Sequence, residues 1–395
     1  MSEPQTATPG EPSGGPTNAE GPVRHTDGGR WAATVAGWAQ PEAGAGAPQS
    51  PPRSDDIAPH PGRPPAARTQ DPALGGDAPA SRPAGPPALT SRSLMRPTPD
   101  TPELGWRGLL HRITGGTYNP GLSTAEQERR ALIARVTTPV RGSHRVAVVS
   151  LKGGIGKTTT TSCLGLVLAQ HRGDRVVAVD ANPDAGTLAE RLTDVVDVTV
   201  RGLLAELDSV RSFTDVSAFT SLAGRLQVLA SDQDPALSEA FSEDQYRAVA
   251  DILARYFNII LTDSGTGLLH SAMSGTLALA DSLVVVGAPS VDGASRASKT
   301  LDWLVAHGHE DLVARSVAVI SSVRPTTGDI DMGLLREHFG ARCRAVVEIP
   351  YDAHLVTGGL IDLDRVGAPA RQAYLELAAA VADGFALDPL RRAAA

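Results

Sequence analysis

The feature that most constrains this chain is SLKGGIGKTTTT, Ser150 to Thr161. It follows the β-branched run RVAVVS and leads into TTTTSCLGLVLAQH, which has a helix's composition and length. Gly153, Gly154 and Gly156 let the backbone turn tightly and aim successive N–H groups inward. Those donors, together with the positive end of the helix, form a cradle for phosphate groups.

The ordinary phosphate-loop pattern G-x-x-x-x-G-K-[ST] fails, because its first glycine would fall at Leu151. The deviant pattern K-G-G-x-G-K-T fits at every position, with Lys152 as an extra lysine ahead of the glycines. On that pattern Gly153, Gly154, Ile155 and Gly156 hold phosphate through the backbone. Lys157 reaches the β- and γ-phosphate oxygens, the Thr158 hydroxyl ligates Mg²⁺, and Thr159 touches the α-phosphate. Lysine usage agrees. The chain has three lysines, Lys152, Lys157 and Lys299, and every other basic side chain apart from histidine is arginine. A compact ammonium fits among phosphate oxygens where a planar guanidinium does not. Lys299 reads as a solvated surface residue.

From Arg145 onward, strands and helices alternate. RVVAVD, LQVLAS, NIILTD, SLVVVGA, SVAVIS and AVVEIP read as buried strands, with amphipathic helices between them. The fold class this implies is α/β, a mostly parallel sheet with helices on both faces. NIILTD ends in Asp263, placed to hold Mg²⁺ through water, and the Gly265 N–H would sense a γ-phosphate. The second strand ends at Asp180, a further metal-side carboxylate, and turns through Asn182, Pro183 and Asp184 beside the γ-phosphate. EIPYDAHLVTGG, with Pro350 and Asp352, is a strand-end loop near the expected base.

Composition divides the chain. Twenty of the 30 prolines fall in residues 1–100, too little apolar surface accompanies them to offset chain entropy, and the expectation is a disordered tail. Residues 101–140 read as a helical lead-in, with Thr124 to Val136 helical behind Ser123 and Thr124 as caps. Residues 141–388 read as the domain. Residues 141–395 hold 23 Arg and Lys against 31 Asp and Glu, which disfavours non-specific nucleic-acid binding. Arg336, Arg342, Arg344 and Arg371 are the candidates for a local exception. Cys163 and Cys343 are the only cysteines and form no CxxC pair, so they read as buried thiols. The stretch MSEPQTATPGEP lacks a basic and an apolar signal region, and no apolar run is long enough to span a bilayer, so the expectation is a cytoplasmic protein.

Together KGGIGKTT, the turn after Asp180, the strand ending at Asp263 and the IPYD loop resemble the ParA/MinD family of deviant Walker A ATPases, over roughly residues 141–387. NPGLSTAEQ, VRGSHRVAVVSLKGG, SVDGASRASKTLDWL and IDLDRVGAPARQAYLELAAAVADGF are similar to the EspI-like branch, associated with type VII (ESX) secretion in actinobacteria. The resemblance implies ATP and Mg²⁺ as ligands and an ATP-dependent homodimer in which Lys152 reaches the partner's phosphates. It also implies a protein partner, a secretion component engaged through the tail. A chromosome- or plasmid-partitioning ATPase that binds DNA, and an ATP-binding scaffold with negligible turnover, are the alternatives it leaves. The sequence departs from the family twice. Asn182 stands where the family has a catalytic Asp, and a carboxamide orients water without accepting its proton. Asp184, two residues on, is the candidate replacement. Ser321 stands where the family reads adenine with Asn.

Overall fold

The computed structural model describes residues 101–102, 105–151, 153–182, 186–193, 195, 198–232, 241–265, 267, 271–325 and 330–387. Every described residue belongs to one compact unit, Leu89–Ala395. The readings made for residues 1–100, Lys152, Pro183 and Asp184 lie outside the described residues.

The strands are β1 (His144–Val149), β2 (Val176–Ala181), β3 (Ser221–Ala223), β4 (Leu226–Leu229), β5 (Ile259–Ser264), β6 (Ser282–Gly287), β7 (Val317–Ser321) and β8 (Ala345–Ile349). They form one sheet in the order β3-β4-β2-β5-β1-β6-β7-β8. Only the β3–β4 pair is antiparallel among the described pairings. All six residues of β1, β2, β5 and β6 are buried. Strands covered on both faces need continuous apolar sequence, and that is how these read.

Alternate residues feed two apolar layers. Val146, Val148, Ala178, Leu261 and Val284 join the core beneath α3 (Lys157–His171) and α12 (Ala368–Ala382). On the opposite face Ala147, Val149, Leu283 and Val285 pack with Leu301 and Leu304 of α9 (Val291–Ala306). Val177, Val179 and Ile260 pack there against Val249 and Leu253 of α7 (Glu243–Tyr256). The lead-in contributes α1 (Gly105–Ile113) and α2 (Thr124–Val136). The second begins where expected, with the Ser123 side chain accepting from the Glu126 N–H. Val136 at its end is fully buried in the main core, and Arg135 meets Asp383 at 2.7 Å.

The structure adds elements that the sequence pattern does not reveal. β3 is three residues long and returns through Gly224, at φ 60. Helices α4 (Leu188–Leu192), α5 (Val200–Ala205), α6 (Phe213–Ser217) and α10 (Glu310–Arg315) are five or six residues each. Segments this short complete too few turns for a 3.6-residue period to register. The two other described helices are α8 (Ser271–Leu279) and α11 (Met332–Gly340).

Candidate functional site

The loop between β1 and α3 does what its glycines predict. Gly154 and Gly156 adopt left-handed backbone, with φ 72 and φ 91, and Gly156 is the N-cap of α3. Glycine is required twice over at 156, because a Cβ there would lie 3.0 Å from Ser321 Oγ. Ile155 turns the other way, and its buried side chain anchors the loop in the core.

Beneath the loop, one carboxylate collects three donors. Lys157 Nζ lies 3.0 Å from Asp263 Oδ1, Thr158 Oγ1 donates to Asp263 Oδ2 at 2.7 Å, and Thr161 Oγ1 donates to Asp263 Oδ1 at 3.0 Å. Lys157 is 8% exposed and Asp263 1%, so this is a buried ion pair with its lone pairs used. Asp180 sits on the neighbouring strand, in register with Asp263. Burial, and then the nearby charge of Asp263, push the Asp180 carboxyl up to about 7. Its Oδ1 accepts from the Asn182 N–H at 3.1 Å and its Oδ2 from the Leu188 N–H at 2.9 Å. The carboxylate that closes β2 therefore also starts α4. Gly186 packs directly on it: a Cβ at 186 would come within 2.1 Å of both carboxylate oxygens.

Above the loop opens a cavity of about 500 Å³. Gly153, Gly154, Gly156, Lys157, Thr158, Thr159, Asn182, Ser321, Pro350 and Asp352 all line it, although they come from four separate stretches of sequence. Asp180 and Asp263 lie one layer below its lining. Gly265 lies outside that lining, beside Gly267, Ala272 and Met273. Asp352 is absorbed in shaping its loop, since Oδ1 accepts from His354 N and Leu355 N at 3.0 and 3.1 Å, and Oδ2 from Gly367 N at 2.8 Å. Ser321 abuts the N-cap glycine Gly156 rather than standing apart from the loop.

Sequence reasoning missed one wall of this cavity. Arg191, on α4, is 8% exposed and lines it. Its Nη2 donates to Thr159 Oγ1 at 3.0 Å and to Leu355 O at 2.9 Å. An arginine in LAERL carries no motif, and nothing in the local pattern distinguishes it from a solvated one. Tyr374 of α12 also reaches the cavity; burial raises its pKa well above 10. Cys163 beneath it is a free thiol that burial pushes up to about 12, and Cys343 is free and buried as well.

Thr158 and Asp263 offer oxygen ligands side by side, which suit a hard cation. Among the described residues no three His, Cys, Asp or Glu side chains group as a protein-only metal cage. One or two carboxylates plus a hydroxyl is the protein share expected when phosphates supply the other ligands of Mg²⁺.

Residues 146–359 match the CobQ/CobB/MinD/ParA nucleotide binding domain family, over more than half of the chain. The chain belongs to this family. It is 39% identical over 284 residues to the ESX-1 secretion-associated protein EspI of Mycobacterium tuberculosis H37Rv, which spans 71% of this chain and 42% of that protein. It is 29% identical over 169 residues to the septum site-determining protein MinD of Thermotoga maritima, covering 42% of this chain and 60% of that one. The fold is like that of a ParA family ATPase from Chlorobium tepidum TLS, with a TM-score of 0.52 at 18% identity over 60% of this chain and 98% of the other. Membership makes the glycine-lined cavity part of a nucleotide-binding domain. No helix among the described residues is long and apolar enough to cross a membrane.

Proposed function

We propose that this chain is an ATP-binding, slowly hydrolysing, dimerising switch that works in the cytoplasm with a type VII secretion machine. The observation that carries the reading is the convergence of Lys157, Thr158 and Thr161 on Asp263 beneath the glycine-lined cavity. In this reading the triphosphate lies along Gly153–Thr159, with Lys157 toward the β- and γ-phosphates and the nucleoside toward Ser321, Pro350 and Asp352. Thr158, Asp263 and Asp180 would hold Mg²⁺, which when bound neutralises charge building on the phosphoryl oxygens. Lys157 and the loop N–H groups stabilise the same charge. Asn182 orients the attacking water but leaves its proton without a carboxylate acceptor, so turnover is slow. Asp184 is the residue that would take that role if hydrolysis is faster.

The identity to EspI supports the link to secretion, within the 42% of that protein the chain spans. The candidate DNA-binding arginines support it from the other side. Arg336 is paired with Glu348 at 2.9 Å, Arg342 with Asp302 at 2.7 Å, and Arg344 donates to Ala380 O at 2.7 Å. Three of the four cations are already engaged, two of them with carboxylates, which reduces the charge they would offer a DNA backbone. Residues 141–388 would form the switch and residues 1–100 the arm that meets the secretion component.

The test is calorimetry of Mg²⁺-ATP with the full chain and its Lys157→Ala variant. Most of the affinity should disappear with the lysine, because a desolvated cation–phosphate contact is lost. Equal affinity in both chains would end this reading.

A further inference from the structure

Arg191 poses a problem that the site described so far does not solve. A guanidinium more than nine-tenths buried normally sits against a carboxylate. Among the described residues none pairs with Arg191. Its Nη2 is used by a hydroxyl and a backbone carbonyl, both neutral. Its Nε is buried and has no hydrogen-bond partner. Its Nη1 faces Gly358, where an added Cβ would stand 3.6 Å away. Burying a full charge against neutral partners alone is costly, and burial lowers the Arg191 pKa from its ordinary 12.5. The side of the guanidinium left open faces the cavity, and an anion bound there would supply the missing charge.

Geometry says which part of a nucleotide this is. Arg191 holds the hydroxyl of Thr159, at the end of the phosphate loop farthest along α3 from Gly153. It also holds the carbonyl of Leu355, in the loop that follows β8. A second tie runs between the same segments, because Ile361 N donates to Arg191 O at 2.8 Å. The side chain thus stands between the phosphate end and the nucleoside end of the cavity. We infer that Arg191 binds the α-phosphate of the nucleotide together with Thr159, and clamps the 352–358 loop beside the nucleoside. The inference rests on the cavity being a nucleotide site.

Binding Mg²⁺-ADP and Mg²⁺-ATP to the full chain, to Arg191→Gln and to Arg191→Lys tests it. Glutamine keeps a donor toward Leu355 and loses the charge; lysine keeps the charge. Both nucleotides share the α-phosphate, so R191Q should weaken both alike, by about tenfold to a hundredfold, as expected for a lost charged hydrogen bond. R191K should recover most of that loss. In phosphorus NMR of bound ADP, the α resonance should move in R191Q while the β resonance stays. R191Q that binds like wild type would overturn the inference. So would equal weakening in R191Q and R191K with the α resonance unmoved, since that pattern marks a structural clamp that ignores charge. Failure of the nucleotide reading looks different, because the unaltered chain would then bind neither ADP nor ATP.

Discussion

Asp263 is where single atoms decide the most. Lys157, Thr158 and Thr161 all point at it. Removing the cation leaves a buried carboxylate short of its partner, so Lys157→Met without nucleotide should lose about 3–5 kcal/mol in urea unfolding. Gly186 is a second fixed point. Alanine there would drive a methyl group into the Asp180 carboxylate, which two backbone N–H groups hold in place. Gly186→Ala should therefore cost about 1–3 kcal/mol, read as a lower urea midpoint. Asn182 offers the opposite experiment. If its carboxamide is what slows turnover, Asn182→Asp should raise steady-state phosphate release, by up to about 10²–10⁴-fold if the full benefit of a general base returns. Asp184→Asn should slow release only if Asp184 has taken the role. No change in either variant would refute the placement of this turn beside the attacking water. The loop residues were legible in the sequence because their spacing is chemically demanding. Arg191 was not, because its partners Thr159 and Leu355 lie far from it in the chain and only the fold brings them together.

Elements were legible in proportion to their length. The thirteen residues of α2 were read at their true bounds, and β1, β2, β5 and β6 from their apolar runs. The segment after β2 was not, since α4, α5 and α6 are short pieces held by contacts rather than by periodicity. Helix α7 shows how a local signal carries to the site. Ser242 and Gln245 form a reciprocal capping box at its start, and Tyr246 in its first turn meets Thr262, the neighbour of Asp263, at 2.9 Å. Ser242→Ala removes one side of that box. It should cost about 1 kcal/mol with an unchanged denaturant slope.

At the scale of the whole molecule, the end of the sheet away from the cavity carries its own titration. His144, at the start of β1, is lowered to about 4 by burial, and by the cations Arg344, Arg315 and Arg172, against the opposing pull of Asp281. Its Nε2 lies 3.0 Å from Ser282 Oγ. The folded chain keeps this ring neutral while the unfolded chain protonates it near pH 6.5. Below that pH the unfolded state binds more protons, so stability falls as pH drops from about 6.5 to about 4, by roughly 3 kcal/mol at most. His144→Gln removes the titration. Subtracting its urea stability from that of wild type, between pH 4 and pH 7, cancels the carboxylates common to both and should isolate this slope. Assembly is tested by light scattering. ATP, and not ADP, should double the mass, and Lys152→Ala should prevent it while leaving nucleotide binding to the monomer; one mass with every nucleotide counts against the dimer.

The strand order sets a timetable for synthesis. Among the described pairings β1, which leads into the phosphate loop, pairs with β5 and β6 alone. Both are made long after it, whereas β2, β3 and β4 can zip together from neighbouring sequence. The central strand of the sheet is thus the first to leave the ribosome and waits, apolar and unpaired, for Ile259–Ser264 to follow. Long-range parallel pairing of this kind is slow and exposes strand edges while it is pending. A nascent chain halted before β5 carries the complete phosphate loop on a strand that still lacks both of its neighbours, so ATP would meet a loop with no fixed floor beneath it.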